Sequence, residues 1–257
     1  MVGLSEPERV DVGRLGSASS LVRALSHIGL VLLDGVPDAE SLLDIARSIA
    51  SVMPHRDSRP DGVTVLADRG APANCGGFAG FGRQELIPHT DRSSIECPPG
   101  LLMMACGEPA ELGGECVVVD GAAVFADLVE NEPEAAEALS APRSALFGGA
   151  AGYLGSVFTL ESNGRVTVRL RLDELARFSP SAARWRAALR STIDRHLITV
   201  VLRAGQGYIL DNRRWLHGRR AFTGNRVLYR VTANPLPHLA IPFGFPLIQL
   251  PARAANA

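Results

Sequence analysis

Two imidazoles and one carboxylate stand out in the chain: His89-Thr90-Asp91, and far downstream His217 within Asp211-Asn212-Arg213-Arg214-Trp215-Leu216-His217-Gly218-Arg219-Arg220. Residues i and i+2 of an extended chain point to the same side, so His89 and Asp91 can grip one ion from a single strand or strand end. The third ligand must then arrive from another strand, and His217 is the candidate. Two ring nitrogens and a carboxylate oxygen occupy one face of an octahedral ion, suit non-haem Fe(II), and leave three positions open. The tripeptide alone is weak as a signal, and the chain carries a second copy, His55-Arg56-Asp57. That copy sits in a polar, Pro-flanked stretch, residues 53–60, and reads as an exposed loop. The copy at His89 is followed by apolar runs at 100–106 and 113–120, spaced as strands would be, and is the ligand pair on this reading.

The surrounding residues carry a family resemblance. The run Gln84-Glu85-Leu86-Ile87-Pro88-His89-Thr90-Asp91-Arg92-Ser93, the Gly113-Gly114 turn, and the segment from Asp211 to Phe222 together resemble the clavaminate synthase-like, taurine dioxygenase-type group of Fe(II)/2-oxoglutarate oxygenases. The motifs keep the family order from about residue 78 to residue 232. The resemblance implies a double-stranded β-helix (jelly roll) core with flanking helices. It makes His89, Asp91 and His217 the catalytic ligands of Fe(II), with 2-oxoglutarate and O₂ as co-substrates. In Asn225-Arg226-Val227-Leu228-Tyr229-Arg230, it assigns Arg226 to the far carboxylate of 2-oxoglutarate and Arg230 to an acidic group on the substrate. The gap from His217 to this pair is short for the family, which leaves an exchange of the two roles open.

Elementary chemistry agrees with an arginine there, because a guanidinium clamps a carboxylate with two parallel hydrogen bonds and stays charged when buried. Many members of the group place a Thr where this chain has Cys116; a thiol is the weaker donor, which predicts a looser hold on 2-oxoglutarate. The presence of Asp91 speaks against halogenation, which requires a small residue at that position. Arg92 and Ser93 follow the ligand pair and face either substrate or a structural ion pair. Asp211 and Asn212 read as a turn, with hydrogen bonding around the ligands as the alternative. The implied activity is hydroxylation of an unactivated C–H bond in a small amino acid or carboxylate-bearing metabolite, of the kind found in specialised, antibiotic-type metabolism. Desaturation or cyclisation of a small or carrier-bound substrate, and a non-catalytic jelly-roll binding protein, are the alternatives.

Composition bounds the rest. At 257 residues the chain suits one domain spanning 1–257. With 26 basic residues against 27 acidic, nothing global attracts nucleic acid or a membrane surface. A basic patch built from Arg213, Arg214, Arg219, Arg220, Arg226 and Arg230 is disfavoured, since strand alternation spreads them over two faces. All 26 basic residues are Arg, which fits a GC-rich genome. Cys75, Cys97, Cys106 and Cys116 show no metal-type spacing and read as reduced thiols; with no signal-peptide pattern, a cytoplasmic protein is expected. His27, His55, His196 and His238 read as surface or structural.

The elements that must position these residues form an α+β pattern. Helices are predicted over 19–27, 38–52, 122–130, 132–139 and 181–196, the last with Trp185, Leu189 and Ile193 inward. Strands are predicted near 30–33, 117–119, 166–170, 198–202, 208–210 and 227–232. Residues 69–82, rich in Gly, Ala and Pro, read as a loop directly before the ligand pair and, by position, as a candidate lid.

Overall fold

The computed structural model describes residues 7–14, 16–70 and 77–247. Period-two alternation organises its centre. In the strand Leu101–Glu108, Leu101, Met103 and Ala105 join one apolar cluster, while Leu102, Met104 and Cys106 join another. The first cluster lies under the amphipathic helices Ser17–His27 and Ala39–Ile49, which bury Leu21, Ala24, Leu25, Leu42, Leu43, Ala46 and Ile49. The second cluster combines residues from two different sheets and so forms the core between them.

The larger sheet has the order Glu8–Asp11, Leu30–Asp34, Gln206–Asp211, Leu101–Glu108, Val227–Pro235, Ala50–Val52, with Thr64–Leu66 also paired to Val227–Pro235. Its pairings are antiparallel except the first. The second sheet runs Leu197–Val200, Cys116–Asp120, Trp215–Arg219, Leu86–His89, all antiparallel. Its outer face packs through Val119 and Leu216 on helices Gly121–Asn131, Pro133–Ser140 and Arg186–Arg195. The result is four layers: helices, sheet, sheet, helices. Smaller sheets, Ala145–Phe147 with its two neighbours and Phe158–Leu160 with Arg165–Val168 and Phe245–Pro246, close the second side.

Two predicted helices are corrected. The one expected over 38–52 begins as anticipated, with Asp38 accepting the Ser41 N–H at 2.8 Å, but ends at Ile49. Ala50–Val52 instead pairs with Ala233 to Pro235, so sheet pairing overrides helical continuation. The helix expected over 181–196 is two pieces, Pro180–Ala183 and Arg186–Arg195. Trp185 sits at the junction outside helical geometry, and packs with Leu189 and Ile193 into the outer cluster as expected. Cys97, Cys106 and Cys116 are free thiols; Cys75 and the middle of the candidate lid, 71–76, lie outside the described residues. The flanks of that loop are held, Arg69 N–H to Phe81 O at 3.0 Å and Arg83 to Asp68 at 2.5 Å. No helix among the described residues is long and apolar enough to cross a membrane.

Candidate functional site

Strand parity puts the predicted residues on the inter-sheet side. Leu216 belongs to the outer cluster, so its neighbour His217 points inward. Val231 belongs to the helix-side cluster and Leu228 to the inter-sheet core, so Arg230 also faces the interior. Register does the rest. His217 pairs directly with His89, and the two rings lie with centroids 4.4 Å apart at 43°. Leu86–His89 ends at His89; Thr90 crosses out of it and Asp91 opens a turn in which Arg92 takes a left-handed φ of 54°. Thr90 is fixed by Leu170, with its N–H donating to Leu170 O at 2.8 Å and its Oγ1 accepting the Leu170 N–H at 3.1 Å.

Asp91 is 5% exposed and has Arg230 Nη1 3.1 Å from its Oδ2. That contact is an ion pair without hydrogen-bond alignment, since Oδ2 is among the buried atoms with no hydrogen-bond partner. Burial pushes the Asp91 carboxyl up, but the positive charge of Arg230 outweighs it and brings the pKa down to about 2. Burial drives His217 well below the ordinary histidine range, and lowers His89 as well. The three groups are therefore a carboxylate and two neutral imidazoles at neutral pH, the protonation states that ligate a metal.

Orientation fits too. His89 Nδ1 lies 2.8 Å from Ile87 O; donating there commits the ring proton to Nδ1 and leaves the Nε2 lone pair available. His217 Nδ1 is buried with no partner. Among the described residues no group of three His, Cys, Asp or Glu is already drawn into a metal cage. The donor set and the orphaned atoms nonetheless suit a divalent first-row ion.

The two arginines occupy different places. Arg226, 7% exposed, donates from Nε to Gly114 O at 3.1 Å and from Nη2 to Cys116 Sγ at 3.6 Å. Gly113 and Gly114 both take positive φ, 73° and 75°; a Cβ on Gly113 would stand 2.2 Å from Ala221 O, and one on Gly114 would press on Arg226. A cavity of about 100 Å³ opens against Arg226, lined by Cys106, Gly114, Cys116, Leu202 and Leu228. Cys116, hydrogen-bonded by Tyr208, has its thiol pushed up by burial. Arg230, in contrast, sits against Asp91. A larger, open cavity of about 470 Å³ lies beside Ile87 and Leu172, rimmed by Arg184, Arg186 and Arg190.

The second His-x-Asp copy is a loop, as predicted, but not an exposed one. The side chains of His55 and Asp57 are 18% and 16% exposed, with Nδ1 3.3 Å from Oδ2. Burial lowers the His55 pKa, and Arg230, Asp91, Asp57 and Arg92 all act on it electrostatically, which places this loop beside the site. Arg92 makes no ion pair among the described residues; its Nη1 donates to Pro54 O at 3.0 Å and ties the turn after Asp91 to the same loop. The other basic residues near His217 have structural partners: Arg214 grips Asp120, Arg219 donates to Gly82 O and Gln84 O, and Arg220 pairs with Glu85. Sequence reasoning missed His55, for which loop composition gave no signal. It also left undecided Asn212, which both makes the turn and hydrogen-bonds the backbone of Asp91.

Comparison with known proteins follows the same line. The family model described as taurine catabolism dioxygenase TauD, TfdA family, matches residues 4–232. A gamma-butyrobetaine dioxygenase from Pseudomonas sp. (strain AK-1) is 31% identical over 214 residues, 77% of this chain and 54% of that one. A uridine-5'-phosphate dioxygenase from Amycolatopsis sp. is 31% identical over 133 residues, 47% of this chain and 48% of that one. This chain thus spans about half the length of these curated relatives. Among solved structures, an asparagine oxygenase in complex with Fe(II), 2S,3S-3-hydroxyasparagine and succinate superposes with a TM-score of 0.66 at 18% identity, over 84% of this chain and 77% of that one. That likeness is one of fold.

Proposed function

The chain belongs to the TauD/TfdA family, and on that premise we propose that it is an Fe(II)- and 2-oxoglutarate-dependent dioxygenase acting on a small molecule that carries an acidic group. On this reading the two facing sheets are the halves of a double-stranded β-helix. His89, Asp91 and His217 would hold Fe(II) in its mouth. The observation that carries the reading is the direct pairing of His89 with His217, with a fully ionised Asp91 brought beside them from the strand end. When bound, iron with 2-oxoglutarate supplies O₂ activation for C–H oxidation, and succinate and CO₂ are the by-products.

The chain's own residues bind, orient and exclude water. Arg226, steered by Gly114 O and Cys116 Sγ, keeps a guanidinium end for the distal carboxylate of 2-oxoglutarate, and its cavity suits the tail of a small dicarboxylate. Arg230, on the Asp91 side, is then left for the substrate, with Arg92 and His55 as neighbours. Such a cluster favours an anionic substrate group. Gamma-butyrobetaine and uridine 5'-phosphate, named in two relatives, both carry an anionic group, and asparagine is an amino acid. Hydroxylation of an amino acid or small carboxylate, in specialised metabolism and in the cytoplasm, is the specific form proposed.

The test is anaerobic titration of metal-free protein with Fe(II) and 2-oxoglutarate, followed by a screen of amino acids and small acids for succinate formation under O₂. A weak visible charge-transfer band that vanishes in His217→Ala is the expected result. Well-folded, iron-loaded protein with no such band would remove 2-oxoglutarate from the reading.

A further inference from the structure

We infer that Asn212 is the positioning residue for Asp91, setting the aim of a carboxylate whose Oδ2 has no hydrogen-bond partner among the described residues. The inference rests on the assignment of Asp91 as a metal ligand. Asn212 is 1% exposed and makes a closed pair with the Asp91 backbone. Its Oδ1 accepts the Asp91 N–H at 2.7 Å, and its Nδ2 donates to Asp91 O at 3.0 Å. The same Nδ2 donates to Pro99 O at 2.9 Å, and the Asn212 N–H donates to Gly100 O at 2.9 Å. One N–H donor and two carbonyl acceptors around the side chain fix which way the amide faces.

The position of this clamp explains why it matters. Asp91 lies beyond the end of Leu86–His89, so no sheet ladder holds its backbone. On one side Thr90 is bonded to Leu170; on the other, the chain bends sharply at Arg92 with φ 54°. Between them, Asn212 alone among the described residues bonds both backbone groups of Asp91. It begins the turn that leads to His217 within the strand Trp215–Arg219. One amide therefore links the backbone of the carboxylate ligand to the segment that delivers the second imidazole, across 121 residues of sequence. Few other residue types satisfy this pattern: Asp lacks the donors, Ser and Ala lack reach, and Gln is one methylene too long.

The test compares Co(II) and Fe(II) affinity, by anaerobic calorimetry, for wild type, Asn212→Ala and Asn212→Asp, with the Co(II) d–d spectrum and the melting temperature of the metal-free protein recorded alongside. Asn212→Ala is expected to weaken metal binding roughly 10–100-fold and to change the Co(II) spectrum. Asn212→Asp, nearly isosteric, keeps the acceptor for the Asp91 N–H and should fall between the two; it also carries the comparison if Asn212→Ala does not fold. Leu189→Ala, in the outer core, serves as a control that lowers melting temperature without moving the metal affinity. Wild-type metal affinity and spectrum in both Asn212 variants, with only the melting temperature lowered, would overturn the inference. Weak binding by wild type, unchanged by His217→Ala, would instead overturn the functional reading and this inference with it.

Discussion

In the turn after Met53, His55 and Asp57 close on each other, Nδ1 to Oδ2 at 3.3 Å, and Ser58 completes the knot by accepting the His55 N–H at 3.0 Å. At the end of Leu86–His89 the same spacing gives the opposite outcome. His89 meets His217, and Asp91 meets Arg230 and Asn212, all from more than 120 residues away. A spacing of two puts side chains on a common face only where the backbone is extended; in a turn it folds them into a local pair. The first copy is satisfied by its neighbours in sequence. The second is left with unmet valence, His217 Nδ1 and Asp91 Oδ2, that only the tertiary fold brings together.

The sharpest way to break this contrast is to remove one carboxylate from each copy. Asp91→Ala should abolish the Fe(II)–2-oxoglutarate band and reduce turnover by more than about 10³-fold, while Asp57→Ala keeps the band. The reverse pattern would exchange the two copies. Next in size come the arginines. Arg226→Ala should raise the KM for 2-oxoglutarate by roughly 30–150-fold, as loss of about 2–3 kcal/mol of charge-assisted hydrogen bonding implies. Arg230→Ala should act on the substrate KM instead, and KM values that move the other way round would swap their roles. Smaller still, Cys116→Thr exchanges a weak donor for a hydroxyl beside Arg226 and should lower the 2-oxoglutarate KM about fivefold, the worth of about 1 kcal/mol. An unchanged KM would mean that residue 116 only orients Arg226.

Asp127 offers a carboxylate whose partners are met, and an effect on stability rather than on turnover. It accepts from Arg195, from Asn131 and from His196 Nε2 at 2.7 Å, joining helices Gly121–Asn131 and Arg186–Arg195. Burial alone would raise its pKa; these bonds bring it down to about 2. The native state then holds its proton less tightly than the unfolded chain. Its stabilisation is complete above about pH 4 and is lost as pH falls from 4 towards 2. Asp127→Asn should cost about 1–2 kcal/mol in urea unfolding at pH 7, with the two proteins converging near pH 2. A constant gap at both pH values would assign the loss to geometry rather than charge.

What was legible beforehand follows the range of the interactions. The ligand candidates, the arginine pair and the amphipathic helices were readable because each rests on local spacing: two, four, or 3.6 residues. Ala50–Val52 was misread as helix because its preference is set by Ala233 to Pro235, a partner with no local signature. Asn212 was legible as a turn residue, but its grip on Asp91 was not, since nothing near it in sequence announces a contact 121 residues away. The stretch 53–60 reads as an exposed loop on composition, and His55 as surface or structural, because composition says nothing about Arg92 reaching over to Pro54.

The strand order of the larger sheet has a consequence for how the molecule comes into being. Leu30–Asp34 pairs with Gln206–Asp211, and Leu101–Glu108 with Val227–Pro235, so both junctions close loops of well over 100 residues. Contacts this distant slow folding, because loop entropy is spent before pairing repays it. The proposed ligand pair at 89–91 is synthesised long before His217 and Arg230, its partners in the folded chain. On the proposed assignment of His89, Asp91 and His217, the metal site is complete only after strands more than 100 residues apart in sequence have paired.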